Sequence, residues 1–413
     1  MTEPLGAYLT DQLIPYIGNK RKLLPLITEA IGHTGIARAR AEAAVPAARA
    51  GFAIPPATFF DVFAGSGVVS RLAKTMGFRV IANDWEPYSE IINAAYIGSN
   101  APPPFARLGG IESAIAALNA LPGEAGYIAD HYCPADDERY DILTERMFYT
   151  QSNGRRIDAI REHILRWRSE GVIDANEESV LLAPLIYQAA YCSNTSGVFK
   201  GFHNGWGGAT MTAWYRIRSS LTLRPPVFFD NGVENLVFRA DAAALAGEIE
   251  CDIAYLDPPY NQHQYGSNYH LLNTVALWDK PPINPRISGN GVRDKAAIRQ
   301  DWRTLRRSPY CHKAAALGAF RDLVGRLRAR YILVSYSTDG IMGVEDLLST
   351  LAERGALSVV RKQYKRYRVS SQRPSPRQHT VEFVAIVDTR QASKQEAVAR
   401  AVEEIETPVL SSE

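Results

Sequence analysis

The stretch "ATFFDVFAGSGVVSRLAKTMGFRVIANDWEP", residues 57–87, restricts the fold more than any other part of the chain. An apolar strand runs into a turn containing Gly65 and Gly67, a helical stretch ends at Gly77, and a second strand, "RVIAN", closes on Asp84. This succession of periods is the grammar of a βαβ unit. Further on, "CDIAYLD", "YILVSYS" and "TVEFVAIVD" are short, apolar and rich in β-branched or aromatic residues, with helical stretches such as "GVEDLLSTLAERG" between some of them. Alternation of this kind predicts an α/β fold built on a doubly wound, mainly parallel sheet. "TVEFVAIVD" follows "LSVVRKQY" with no helical stretch between, which predicts an antiparallel pair at the far end of that sheet.

Between the two groups of strands the pattern changes. Residues 126–226 contain two long amphipathic helical stretches and then a loop rich in glycine, aromatic and basic residues. At 413 residues, one large domain carrying a smaller one is the expected arrangement. The sequence therefore divides into a discontinuous α/β domain, 1–125 and 227–390, a helical insertion, 126–226, and a tail, 391–413. No run of 18 apolar residues and no signal-peptide pattern is present, so the expectation is a cytoplasmic protein without a membrane segment. Cys133, Cys192, Cys251 and Cys311 never pair as Cys-x-x-Cys, which argues against a zinc site or a disulfide framework.

Two short motifs carry chemistry. In "FAGSG", Phe63 to Gly67, glycine lets the backbone approach a ligand and the helix that follows presents N–H groups; a purely structural tight turn would look the same. Asp84, at the end of the next strand, is placed to accept hydrogen bonds from ribose hydroxyls, so the pair has the spacing of a nucleoside site. A third glycine and a following Lys-Ser/Thr are both missing, which disfavours dinucleotide and P-loop readings. The second motif is "YLDPPY", 255–260. Proline lacks the N–H that a sheet needs, so the strand must stop here and present Asp257 and Tyr260 at its end.

The order "YIGNKRKLLPLI", "FAGSG", Asp84, "DPPY" resembles that of the Dam-like, alpha-group N6-adenine DNA methyltransferases. The resemblance implies a Rossmann-like methyltransferase fold in which residues 126–226 are a target-recognition domain. It implies S-adenosylmethionine as methyl donor, held by Tyr16, Lys20, Phe63, Gly65, Gly67, Asp84 and Asp257, and double-stranded DNA as substrate. Tyr16 stands where relatives often have tryptophan. Asp241 in "VFRADAAAL" either contacts the donor's adenine or caps a helix.

The catalytic residues it implies are Asp257, Pro258, Pro259 and Tyr260. An adenine amino nitrogen is a poor nucleophile because its lone pair is delocalised into the ring. The Asp257 carboxylate and the Pro258 carbonyl would draw its two hydrogens, with the prolines fixing φ and Tyr260 stacking on the base; neither a metal nor a covalent intermediate is required. A base within a duplex must be flipped out to reach such a pocket. Tyr265, Asn268, Tyr269 and His270 either line that pocket or serve packing and capping.

DNA contact is expected from "SNTSGVFKGFHNGWGG", 193–208, where Lys200, Phe202, His203 and Trp206 would read base edges or wedge the duplex; the alternative is a loop packed by its own aromatics. Arg361 to Arg377 forms a basic tract suited to phosphates or simply a solvated edge, and Lys280 to Pro309 an exposed, partly basic loop. Cytosine-N4 methylation, methylation of RNA or of a protein glutamine, and a catalytically silent DNA-binding module remain alternatives. The sequence leaves open whether a restriction endonuclease accompanies the protein.

Overall fold

A computed structural model describes residues 3–40, 42, 54–284, 287–289, 292–299, 302, 306–365 and 379–407. Its centre is a seven-stranded sheet of β1 (Thr58–Asp61), β2 (Arg79–Asp84), β3 (Leu236–Arg239), β4 (Glu250–Leu256), β5 (Arg328–Ser337), β6 (Ala356–Lys365) and β7 (His379–Asp388). The strand order is β3-β2-β1-β4-β5-β7-β6. The first five strands run parallel, while β7 is antiparallel to both β5 and β6. The expected antiparallel pair is therefore present, with β7 inserted between β5 and β6.

Alternation along the strands builds two cores. Phe59, Val80, Ala82, Ile253, Tyr255, Leu333 and Val384 face the helices Leu24–His33 and Val68–Thr75. Phe60, Ile81, Ala254, Leu256, Ile332, Val334 and Phe383 face the other way, against the helices Ala242–Ala246, Lys313–Arg326 and Val344–Ala352. Period-two burial on both faces is what a doubly wound sheet requires. Residues 391–407 are more than a tail: Ala397–Glu406 is a helix whose Ala401 and Ile405 are buried in this second core.

Within 126–226 lie the long helices Gln151–Ser169 and Ala175–Tyr191. A capping box starts the second: Asp174 accepts from Glu177 N, and the Glu177 carboxylate accepts from Asp174 N. Asp158 accepts from Ile128 N and Ala129 N, both 2.8 Å, and thereby starts the short helix Tyr127–Tyr132. These helices share one continuous core with Tyr88, Ile92 and Tyr96, which follow β2, and with Leu271, Leu272 and Val275, which follow β4. The insertion is thus packed directly onto the loops that leave the carboxyl ends of the sheet. All four cysteines are free and buried.

Candidate active site

β1 and β4 are neighbours, yet the chain leaves them in different directions, and a parallel sheet opens a crevice beyond the strand ends at such a point. Here the crevice is a cavity lined among others by Tyr16, Phe63, Asp84, Asp241, Asp257 and Tyr265.

Two glycines form the turn that follows Phe63, which lines the cavity. Gly65 has φ +53°, and a Cβ there would come within 3.0 Å of the Tyr16 ring. Gly67 has φ +77°, and its Cβ would lie 2.6 Å from Asn93 Oδ1. Only glycine meets both demands without strain. Asp84 accepts from Gly65 N at 2.7 Å and from Glu86 N at 2.9 Å, so the acid holds the turn while lining the cavity. Ser89 Oγ donates to Gly65 O at 2.6 Å. Asn83 ties three strand ends together, donating to Val62 O and Ala240 O and accepting from Ala240 N. Asp241 accepts from Ala243 N and Ala244 N, capping the helix Ala242–Ala246, and also lines the cavity.

Tyr16 stacks on Tyr269 at 5.0 Å and receives the Tyr88 hydroxyl at 3.2 Å; Tyr265 approaches it to 5.5 Å. Tyr265 lines the cavity, whereas Asn268, Tyr269 and His270 are buried and serve packing. Lys20 Nζ lies 3.0 Å from Asp257 Oδ1 and 4.8 Å from the centre of the Tyr260 ring. Its side chain is 3% exposed and that of Asp257 19%, so this ion pair is screened from water on the lysine side and open on the carboxylate side. Burial alone would lower the Lys20 ammonium, but Asp257, with Tyr260, Tyr255 and Glu382, drives it well above the ordinary lysine value. Burial pushes Asp257 up, and Lys20 pulls it back. β4 ends at Leu256, immediately before Asp257. Among the described residues the Pro258 carbonyl accepts no hydrogen bond, while Tyr260 O accepts from Ile341 N at 3.2 Å.

Sequence reasoning did not single out Glu86, Arg306, Tyr310 or Glu382. Glu86 and Arg306 line the cavity, Arg306 donating to Trp85 O at 2.5 Å; Tyr310 meets Phe63 edge-on at 5.2 Å. Glu382, on β7, is the second carboxylate acting on Lys20. The alternation of "TVEFVAIVD" marks Glu382 as a charge on a buried face, which was the available signal.

The loop 193–208 is corrected by the structure. Phe199, Phe202 and Trp206 are buried in the helical core, and Trp206 Nε1 donates to Asp137 O at 2.8 Å. Phe202 and Trp206 are therefore not a duplex wedge; Lys200 and Asn204 are exposed. Most of the basic tract 361–377 falls outside the described residues, as does part of 280–309.

The family of D12 class N6 adenine-specific DNA methyltransferases matches residues 16–286, a span running from Tyr16 through the glycine turn and the insertion to beyond Tyr260. The chain belongs to this family. As a D12 enzyme it is a site-specific DNA methyltransferase acting on the N6 amine of adenine. It is 31% identical over 375 residues to the type II methyltransferase M.NlaIII of Neisseria lactamica, covering 90% of this chain and 98% of that protein. It is 32% identical over 330 residues to the type II methyltransferase M.FokI of Planomicrobium okeanokoites and 30% over 361 residues to the modification methylase StsI of Streptococcus sanguinis. Those matches cover 79% and 85% of this chain but 48% of each relative. No helix among the described residues of this D12 protein is long and apolar enough to cross a membrane.

Proposed function

We propose that the protein transfers a methyl group from S-adenosylmethionine to the N6 amine of an adenine flipped out of duplex DNA, with Asp257 and the Pro258 carbonyl orienting that amine. The reading rests above all on one observation, that Asp257 borders the cavity while its other side is held by the buried ammonium of Lys20, 3.0 Å away. S-adenosylmethionine supplies an electrophilic methyl group on a positively charged sulfur. The cavity fits such a molecule: Tyr16 and Tyr265 offer aromatic faces to a cation, and Asp84 and Asp241 offer carboxylates to hydroxyl and amine donors. The close approach of Tyr16 to Gly65 leaves no room for a side chain in that turn. Lys20, Phe63 and Gly67 complete the donor site in this reading.

The chain's own residues prepare the nucleophile. Lys20 keeps the Asp257 carboxylate ionised, so it accepts one N6 hydrogen; the Pro258 carbonyl accepts the other, and the nitrogen lone pair is freed from the ring. Pro259 holds the loop and Tyr260 offers its ring to the base, offsetting unstacking with roughly 1–3 kcal/mol. Residues 126–226 act as the target-recognition domain on the α/β domain 1–125 and 227–390. The protein works on cytoplasmic DNA, and its likeness to modification methylases favours a companion restriction endonuclease.

Transfer of labelled methyl groups from S-adenosylmethionine to DNA tests this directly. Asp257→Ala should abolish transfer while leaving duplex binding intact. A transfer rate equal to that of the unaltered protein would remove Asp257 from the mechanism.

A further inference from the structure

A second, wider depression lies on the other side of residues 13–21 from the donor cavity. Asn19 and Arg21 stand on one wall, and Tyr187, Tyr191, Arg216 and Arg224 on the insertion opposite. Its volume, about 1030 Å³, is at the upper end of what small-ligand pockets span. It begins beside the reacting groups, because Asn19 and Arg21 flank Lys20, whose Nζ is 3.0 Å from Asp257.

Its charge is net positive, with Asp11 acting on Arg21 from a distance. Among the described residues no carboxylate comes within ion-pair distance of Arg21, Arg216 or Arg224, and Asp11 is the single acid in the lining. Two of the guanidiniums are held by carbonyls instead: Arg21 Nη2 donates to Leu13 O at 2.9 Å, and Arg216 donates to Tyr191 O and Ser193 O. Carbonyl anchoring fixes a guanidinium in place and leaves its charge for an anion. The short helix Trp214–Arg218, whose Arg216 lines the groove, also carries Tyr215, 68% exposed, and Trp214, 42% exposed, with Met211, 57% exposed, just before it. A solvent-facing apolar group on the same helix as Arg216 suits a polyanion that also offers flat apolar surfaces.

We propose that this groove is where the DNA duplex docks, with Arg21, Arg216 and Arg224 on its phosphates and Tyr215 and Trp214 against the bases and sugars where the helix opens. The assignment rests on the reading of the substrate as duplex DNA. It replaces the buried aromatics of 193–208 with a neighbouring exposed set.

The test uses the full-length protein and a mixed-sequence duplex, with binding followed by fluorescence anisotropy over a range of salt concentrations. The double variant Arg21→Gln/Arg224→Gln should bind about tenfold or more weakly and lower the salt slope by about 2, the loss of two phosphate contacts. Arg224→Gln alone should lower it by about 1. Calorimetric binding of S-adenosylmethionine should be unchanged in both, which separates lost docking from a disturbed fold. Arg321→Gln/Arg326→Gln, on a helix against the sheet's far face, should leave affinity and slope as they were. Tyr215→Ala should lower kcat/KM for DNA methylation about tenfold with the donor KM unchanged. Equal affinity and slope in the groove variants, or an equal loss in the far-face variant, overturns the assignment. A wild-type protein that neither binds nor methylates duplex DNA would overturn the DNA reading itself.

Discussion

Gly67 shows how a single residue joins sequence to site. Its φ of +77° costs an L side chain roughly 1–2 kcal/mol. The 2.6 Å approach of a Cβ to Asn93 Oδ1 adds strain, because Asn93 is held by its bond to Ser89 O. Gly67→Ala should therefore weaken S-adenosylmethionine binding by about tenfold or more, measured by calorimetry; an unchanged affinity would show that the turn does not shape the donor site. Lys20 offers a second test. Asp257 must be ionised to accept a hydrogen from the base, so the rate rises as pH passes upward through its pKa. Lys20 pulls that pKa down against burial. Lys20→Met should move the acid limb of the kcat profile to higher pH and lower the maximal rate; a limb that stays in place would detach Lys20 from the charge on Asp257. Both residues were legible because an uncommon type stands within a recognisable string. Glu382 was not, since its approach to Lys20 depends on the distant β7 lying beside β5.

Among the elements, the strand that ends in two prolines was readable from local chemistry alone. The loop 193–208 was not: glycines and aromatics describe a wedge and a self-packed loop equally well, and only the helices around it decide which is present. The helix Ala397–Glu406 is a similar case. Its composition reads as a polar end of the chain, yet Ile405 is wholly buried against the sheet. Ile405→Ala should cost about 2–5 kcal/mol of stability, read from urea unfolding. A loss within about 0.5 kcal/mol, as at an exposed surface site, would show that the helix does not support the core.

For the whole molecule, the carboxylates gathered at the strand ends leave a signature in stability. Burial, partly offset by the 2.6 Å hydrogen bond from Ser70 Oγ and reinforced by Asp257 and Asp84, pushes Asp61 up to about 7. Glu86 is pushed up to about 7, chiefly by burial. In the unfolded chain such groups titrate near about 4. The folded state then holds protons that the unfolded chain has released, so the contribution is complete below about pH 4 and is lost as pH rises through about 7. Asp61→Asn should accordingly gain stability relative to the wild type between pH 5 and pH 8, by urea unfolding; a difference that does not vary with pH would remove Asp61 as the source. From its sequence alone this protein's fold class, its glycine turn after β1 and the proline-ended strand β4 were determined, because strand and helix periods and proline's missing N–H act within a few neighbouring residues. The tertiary structure alone decided that β1 and β4 would be neighbours, that the insertion would turn Phe202 and Trp206 inward and Tyr215 outward, and that Lys20 would meet Asp257. Those outcomes depend on which faces pack together across long separations, and a side chain's own sequence neighbourhood carries no record of them.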